Sequence, residues 1–136
     1  MSTRQTHVRN RALGSLAVIA AGLGLIAAPP AAAAQGDCAS GYTCLWEDAG
    51  YQGGAVSFAR YIPDLSQWKT TNGHKANDTL SSAKNRGQSE GTCLFQNAYG
   101  GGASRHMSRG ASWYSLADHQ FNDTISSAYF DGFVSC

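Results

Sequence analysis

The chain carries few charges, only four cysteines and, beyond residue 34, no apolar run long enough to cross a bilayer. No window of a dozen residues keeps apolar side chains at i, i+3, i+4 and i+7, which argues against a helical architecture. A phosphate loop, a haem motif, a nucleophile elbow and paired catalytic carboxylates are all missing, so the chain is read as non-enzymatic. His74, His106 and His119 are the only histidines after residue 34, and Asp118-His119 beside several serines makes a triad only on paper. In that same stretch seven Lys and Arg stand against nine Asp and Glu, a formal charge of −2. With no basic cluster to track a phosphate backbone, nucleic acid is not expected as a partner.

What is present begins with an export signal. Arg4, Arg9 and Arg11 precede an apolar stretch from Leu13 to Ala28, followed by Pro29-Pro30 and Ala32-Ala33-Ala34. This order of basic, apolar and small residues reads as a secretory signal peptide over residues 1–34, cleaved after Ala34. The mature chain, residues 35–136, is then one small secreted domain, expected to be monomeric and free of the membrane. Cys38, Cys44, Cys93 and Cys136 form an even set, which in an exported chain favours two disulfides. Three pairings are possible. Cys38–Cys44 with Cys93–Cys136 is favoured, because one bridge is local and the other ties the last residue to the second half of the domain. Loop-closure entropy gives the short loop about 2.4 kcal/mol and the long one about 4 kcal/mol. Cys-x₅-Cys is too wide for the usual zinc pairs.

The mature sequence is duplicated. Asn77-Asp78-Thr79-Leu80-Ser81-Ser82 returns 45 residues later as Asn122-Asp123-Thr124-Ile125-Ser126-Ser127, identical at five of six positions. Each half opens alike, with Cys44-Leu45-Trp46 or Cys93-Leu94-Phe95, then a glycine-rich turn and a strand-like stretch, Ala55 to Tyr61 or Ala103 to Met107. Cysteine to motif spans 33 residues in the first half and 29 in the second, so the first connection is longer, around Thr70-Thr71-Asn72-Gly73. Short runs rich in Val, Phe, Tyr and Trp between Gly, Asn and Asp clusters predict an all-β chain, with one helical turn near Leu65–Trp68. Two units, about 38–88 and 89–136, predict two Greek keys packed as a disulfide-braced sandwich. The motif concentrates carboxylate, amide and hydroxyl oxygens, the donors a hard cation such as Ca²⁺ prefers. Asn77-x-Thr79 and Asn122-x-Thr124 also read as glycosylation sequons, but that match follows automatically from the motif.

These residues resemble a known family. Trp46-x₄-Tyr51-x-Gly53 is similar to the βγ-crystallin hairpin signature, and the doubled Asn-Asp-x-x-Ser-Ser to the calcium motif of microbial βγ-crystallins. The second hairpin, Phe95-x₃-Tyr99-x-Gly101, is one residue short before its second aromatic. The resemblance implies two Ca²⁺ ions, each held by both motifs in a crossed clamp. Ser81 and Asp123 would serve one ion, Ser126 and Asp78 the other. Backbone carbonyls of Thr79 and Thr124, and of the hairpin residues Glu47 and Gln96, would complete the shells. Ser82 and Ser127 are expected to bond within the fold, and Asn77 and Asn122 to shape the turns.

A second resemblance is to the secreted bacterial metalloproteinase inhibitors built on a crystallin fold, which share the size, the export signal, four cysteines and the Cys38-x₅-Cys44 spacing. It implies an extracellular protease as partner. That family's inhibitor presents a loop closed by a short second disulfide, and no cysteine closely follows Cys93. A third possibility is a secreted toxin or cell-wall binder, with Trp68 and Trp113 as its contact residues.

Overall fold

The computed structural model describes residues 36–136. The signal-peptide reading of residues 1–34 therefore lies outside the described residues. Eight strands run in the order β1 (Thr43–Asp48), β2 (Gln52–Phe58), β3 (Tyr61–Ile62), β4 (Ser82–Asn85), β5 (Thr92–Asn97), β6 (Gly101–Met107), β7 (Ser112–Trp113) and β8 (Ser127–Phe130). They form two four-stranded antiparallel sheets of order β2-β1-β4-β7 and β3-β8-β5-β6. Each sheet therefore takes one strand from the other half of the sequence. The two halves cannot separate without breaking both sheets.

Alternation within the strands sends Leu45, Val56 and Phe58 of one sheet and Leu94, Met107, Ala128 and Phe130 of the other into a single core. Leu80 and Ile125, the one position at which the two motifs differ, are both fully buried there. The exchange thus keeps an apolar anchor worth about 2 kcal/mol in each loop. Leu65 and Leu116 each open a 3₁₀ turn, Leu65–Gln67 and Leu116–His119, and are also fully buried. The first turn was expected; the second was not. Asp64 and Ser115 cap these turns, accepting from the amides of Ser66 and Ala117.

The longer first connection is a small hairpin. Lys69 bridges Lys75 in antiparallel pairing, and the Thr70 amide donates to the His74 carbonyl at 2.9 Å. The strands β2 and β6 begin earlier than predicted, inside the glycine-rich segments. The second β-hairpin also corrects the sequence reading, because it is not short. Asp48 pairs with Gln52 and Asn97 with Gly101, so both loops hold three residues. What changes is the order of two left-handed residues: Gly50-Tyr51 (φ 73° and 62°) in one loop, Tyr99-Gly100 (φ 58° and 73°) in the other. Tyr51 consequently packs edge-on against Trp46, with ring centroids 5.4 Å apart, whereas Tyr99 is 74% exposed.

Both favoured disulfides are present, Cys38–Cys44 with Cα atoms 5.9 Å apart and Cys93–Cys136 at 5.5 Å. The first folds the segment from residue 38 against Trp46 on the outer face of its sheet. The linker between halves is organised by Asn85. Its buried amide donates to the carbonyls of Glu90 (3.1 Å) and Met107 (3.2 Å), and its oxygen accepts from the Gly87 amide at 2.8 Å.

Candidate metal centre

The two repeated motifs meet, and they meet reciprocally. The Asp78 amide donates to the Ile125 carbonyl at 3.1 Å, and the Asp123 amide to the Leu80 carbonyl at 3.0 Å. Both aspartates sit in left-handed backbone, with φ of 54° and 51°. Asp tolerates that region better than most residues, at a cost of about 1 kcal/mol. The turn lifts each carboxylate toward the other motif. Ser81 Oγ donates to Asp123 Oδ1 at 3.0 Å, and Ser126 Oγ to Asp78 Oδ1 at 3.3 Å. These are the two crossed pairs that the βγ-crystallin resemblance implies.

The rest of each motif holds this arrangement. Asn77 and Asn122 donate from Nδ2 to the neighbouring carboxylates Asp78 and Asp123, at 2.7 and 2.8 Å, so they fix the acids as well as the turns. Ser82 Oγ donates to the Asp48 carbonyl at 2.6 Å and accepts from the Tyr51 amide at 3.0 Å. Ser127 Oγ repeats this with the Asn97 carbonyl (2.7 Å) and the Gly100 amide (3.0 Å). The second serines thus tie motif to hairpin, as expected. Thr79 Oγ1 donates to the Lys75 and Ala76 carbonyls, but the buried Thr124 hydroxyl has no partner among the described residues.

Each motif is also sewn to its own hairpin. The Ser81 amide donates to the Trp46 carbonyl at 2.7 Å, and the Ser126 amide to the Phe95 carbonyl at 2.9 Å. The next residues, Glu47 and Gln96, fall in the register breaks between Trp46 and Asp48 and between Phe95 and Asn97. A break of this kind releases a residue from ladder pairing. Each residue thus follows directly on the one whose carbonyl bonds the first serine of its motif.

Sequence reasoning missed what the Glu47 side chain does. Its carboxylate accepts from Thr70 Oγ1 (2.8 Å), the Gly54 amide (2.8 Å), Asn72 Nδ2 (3.2 Å) and His74 Nδ1 (2.8 Å). Burial works against its charge, yet the bonds from Thr70, Gly54 and His74 prevail and hold its pKa below the ordinary glutamate value. The extra four residues of the first connection were the signal for this clamp. An open groove of about 630 Å³ runs from Glu47, Asp48, His74 and Lys75 to Asp78 and Asp123.

The donor set suits calcium. Each crossed pair offers one carboxylate and one hydroxyl with carbonyls nearby, all hard oxygens. Among the described residues no three His, Cys, Asp or Glu side chains converge, so a cation here would rest mainly on hydroxyl and carbonyl oxygens. The histidines take other roles. His119 stacks on Trp113 with ring centroids 3.8 Å apart, and His106 Nε2 lies 3.0 Å from Asp131 Oδ2. Trp113 is half-buried in β7 against the core, whereas Trp68 is 40% exposed.

Comparison with known proteins gives the lineage. The model of peptidase inhibitor family I36 matches residues 31–107, more than half of the chain. The chain belongs to that family. The matched region takes in the first motif, the Glu47 clamp and the β5–β6 hairpin of this I36 protein, and ends before the second motif. No curated protein matches the chain. Among solved structures, a domain from work on the evolution of the eye-lens βγ-crystallin fold superposes at TM-score 0.61 with 23% identity, over 73% of this chain and 93% of that one. A βγ-crystallin from Ciona intestinalis gives 0.55 with 22% identity, over 67% and 100%. Spherulin 3A from Physarum polycephalum gives 0.53 with 23% identity, over 74% and 92%. At such identities the likeness establishes the fold: this member of family I36 is a βγ-crystallin sandwich.

Proposed function

We propose that this protein is a secreted, non-enzymatic βγ-crystallin domain that binds two Ca²⁺ ions, one at Ser81/Asp123 and one at Ser126/Asp78. The observation that carries the reading is the reciprocal pairing of the two carboxylates with the two serines. A bound ion would take the place of each serine-to-aspartate hydrogen bond, with the carbonyls of Thr79, Thr124, Glu47 and Gln96 supplying further oxygens. Its role would be to bridge the two halves electrostatically. One carboxylate per ion points to the extracellular affinity range, Kd about 10⁻⁴ to 10⁻³ M. At one hundred times Kd each site would add about 2.7 kcal/mol, comparable to a disulfide. Two disulfides fit an oxidising, extracellular setting. Thermal melts with millimolar calcium and with chelator test this reading; identical midpoints would reject it.

The family match favours a second reading, compatible with the first. As a member of peptidase inhibitor family I36, the domain would block an extracellular peptidase, with calcium keeping the scaffold rigid. Mixing the mature protein with thermolysin-type metalloproteases at equal molar dose tests this. Loss of protease activity is expected, and digestion of the protein as an ordinary substrate would contradict it.

A further inference from the structure

The two crossed corners are built from the same six residues but stand in different surroundings. Beside Ser81/Asp123, the break in β1 carries Glu47-Asp48; beside Ser126/Asp78, the break in β5 carries Gln96-Asn97. Glu47 and Asp48 line a groove with His74 and Lys75 that reaches both Asp123 and Asp78. The inserted hairpin Lys69–Lys75 distinguishes the two corners further. It docks on β2, where the Thr71 amide donates to the Ala55 carbonyl and Thr71 Oγ1 accepts from the Ala55 amide, both at 3.0 Å. From there Thr70, Asn72 and His74 reach the Glu47 carboxylate. The second half lacks this insertion, and among the described residues the Gln96 side chain has no such partners.

We propose that the inserted hairpin makes the Ser81/Asp123 corner the tighter of two unequal calcium sites, with Glu47 as its positioning residue. This inference rests on the calcium reading above and gives it an order of filling. The effect is one of pre-organisation. A side chain held by four donors fixes the backbone at the break before the ion arrives, so less ordering is left to the binding step. Rigidity is one of the variables that tune calcium sites. The clamped site is therefore expected to fill first.

The test is a calorimetric calcium titration of the mature protein, run with ¹⁵N spectra that follow the Gly53 and Gly102 amides at corresponding positions in the two hairpins. Two binding steps are expected, with Gly53 responding in the first and Gly102 in the second. Asp123→Asn should remove the tight step and Asp78→Asn the weak one. Glu47→Gln, and more gently Thr70→Val, should weaken the tight step several-fold and leave the other unchanged. Two sites of equal affinity, a tight step lost with Asp78→Asn, or a tight step unmoved by both clamp variants would overturn the inference while leaving calcium binding intact. Absence of any calcium heat or shift would overturn both.

Discussion

Asn85→Ala removes the side chain that holds the linker between the two halves. Asn85 is fully buried and occupies the place that Phe130 takes in the second half, each closing the strand that follows its motif. The substitution strands the Gly87 amide and the carbonyls of Glu90 and Met107, which the asparagine meets at 2.8, 3.1 and 3.2 Å. It also strips the Thr43 hydroxyl of a long contact at 3.5 Å, though Thr43 keeps its 2.6 Å bond to Thr92. At about 1 kcal/mol for each of the three good bonds, plus a small cavity, the loss comes to about 3–4 kcal/mol. For a domain of this size that lowers the melting midpoint by about 12–32 °C. Urea unfolding with both disulfides intact measures it, because a fall in midpoint at constant slope reports stability alone. Asn85→Asp should be about as damaging, since it keeps the acceptor and loses both donated bonds. A cost below about 1 kcal/mol for the alanine variant would refute the reasoning and show that water replaces the amide.

The two disulfides should differ in worth. Replacing Cys93 and Cys136 by Ser should cost about 4 kcal/mol and replacing Cys38 and Cys44 about 2.4 kcal/mol in equilibrium unfolding. The Glu47 carboxylate makes the calcium-free protein acid-sensitive in a defined direction. Its folded pKa lies below the ordinary 4.5, so its contribution is complete above that value and fades as pH falls through the lowered one. The difference in melting temperature between wild type and Glu47→Gln, measured in chelator from pH 6 to pH 3, should therefore shrink on acidification. A constant difference would contradict the clamp.

Much of this domain was legible because it is written twice. The repeated Asn-Asp-x-x-Ser-Ser loop pointed to both aspartates and both first serines, the βγ-crystallin resemblance implied their crossed partnership, and the structure places Ser81 Oγ 3.0 Å from Asp123 Oδ1. The even cysteine count pointed to two disulfides, and the pairing found is the favoured one of three that the sequence left possible. Other features lay outside pattern reading. Counting from aromatic to aromatic made the second hairpin look short, because spacing cannot distinguish a lost residue from an inverted Gly-Tyr pair when both orders supply left-handed backbone. The exchange of β3 and β7 between sheets involves two-residue strands, too brief to carry a period. Trp113 sat in a variable connection and is half-buried by that exchange. The Glu47 clamp depends on side chains from a hairpin that has no counterpart in the second half, so comparing the halves exposed four extra residues but not what their side chains hold.

Calorimetric titration of the mature protein with Ca²⁺, repeated on a variant with both Asp78→Asn and Asp123→Asn, tests the central claim most directly. The account requires two ions per wild-type chain and a melting temperature that rises with calcium, with both effects abolished in the double variant. A flat titration of the wild type, or calcium binding that survives loss of both carboxylates, would contradict it.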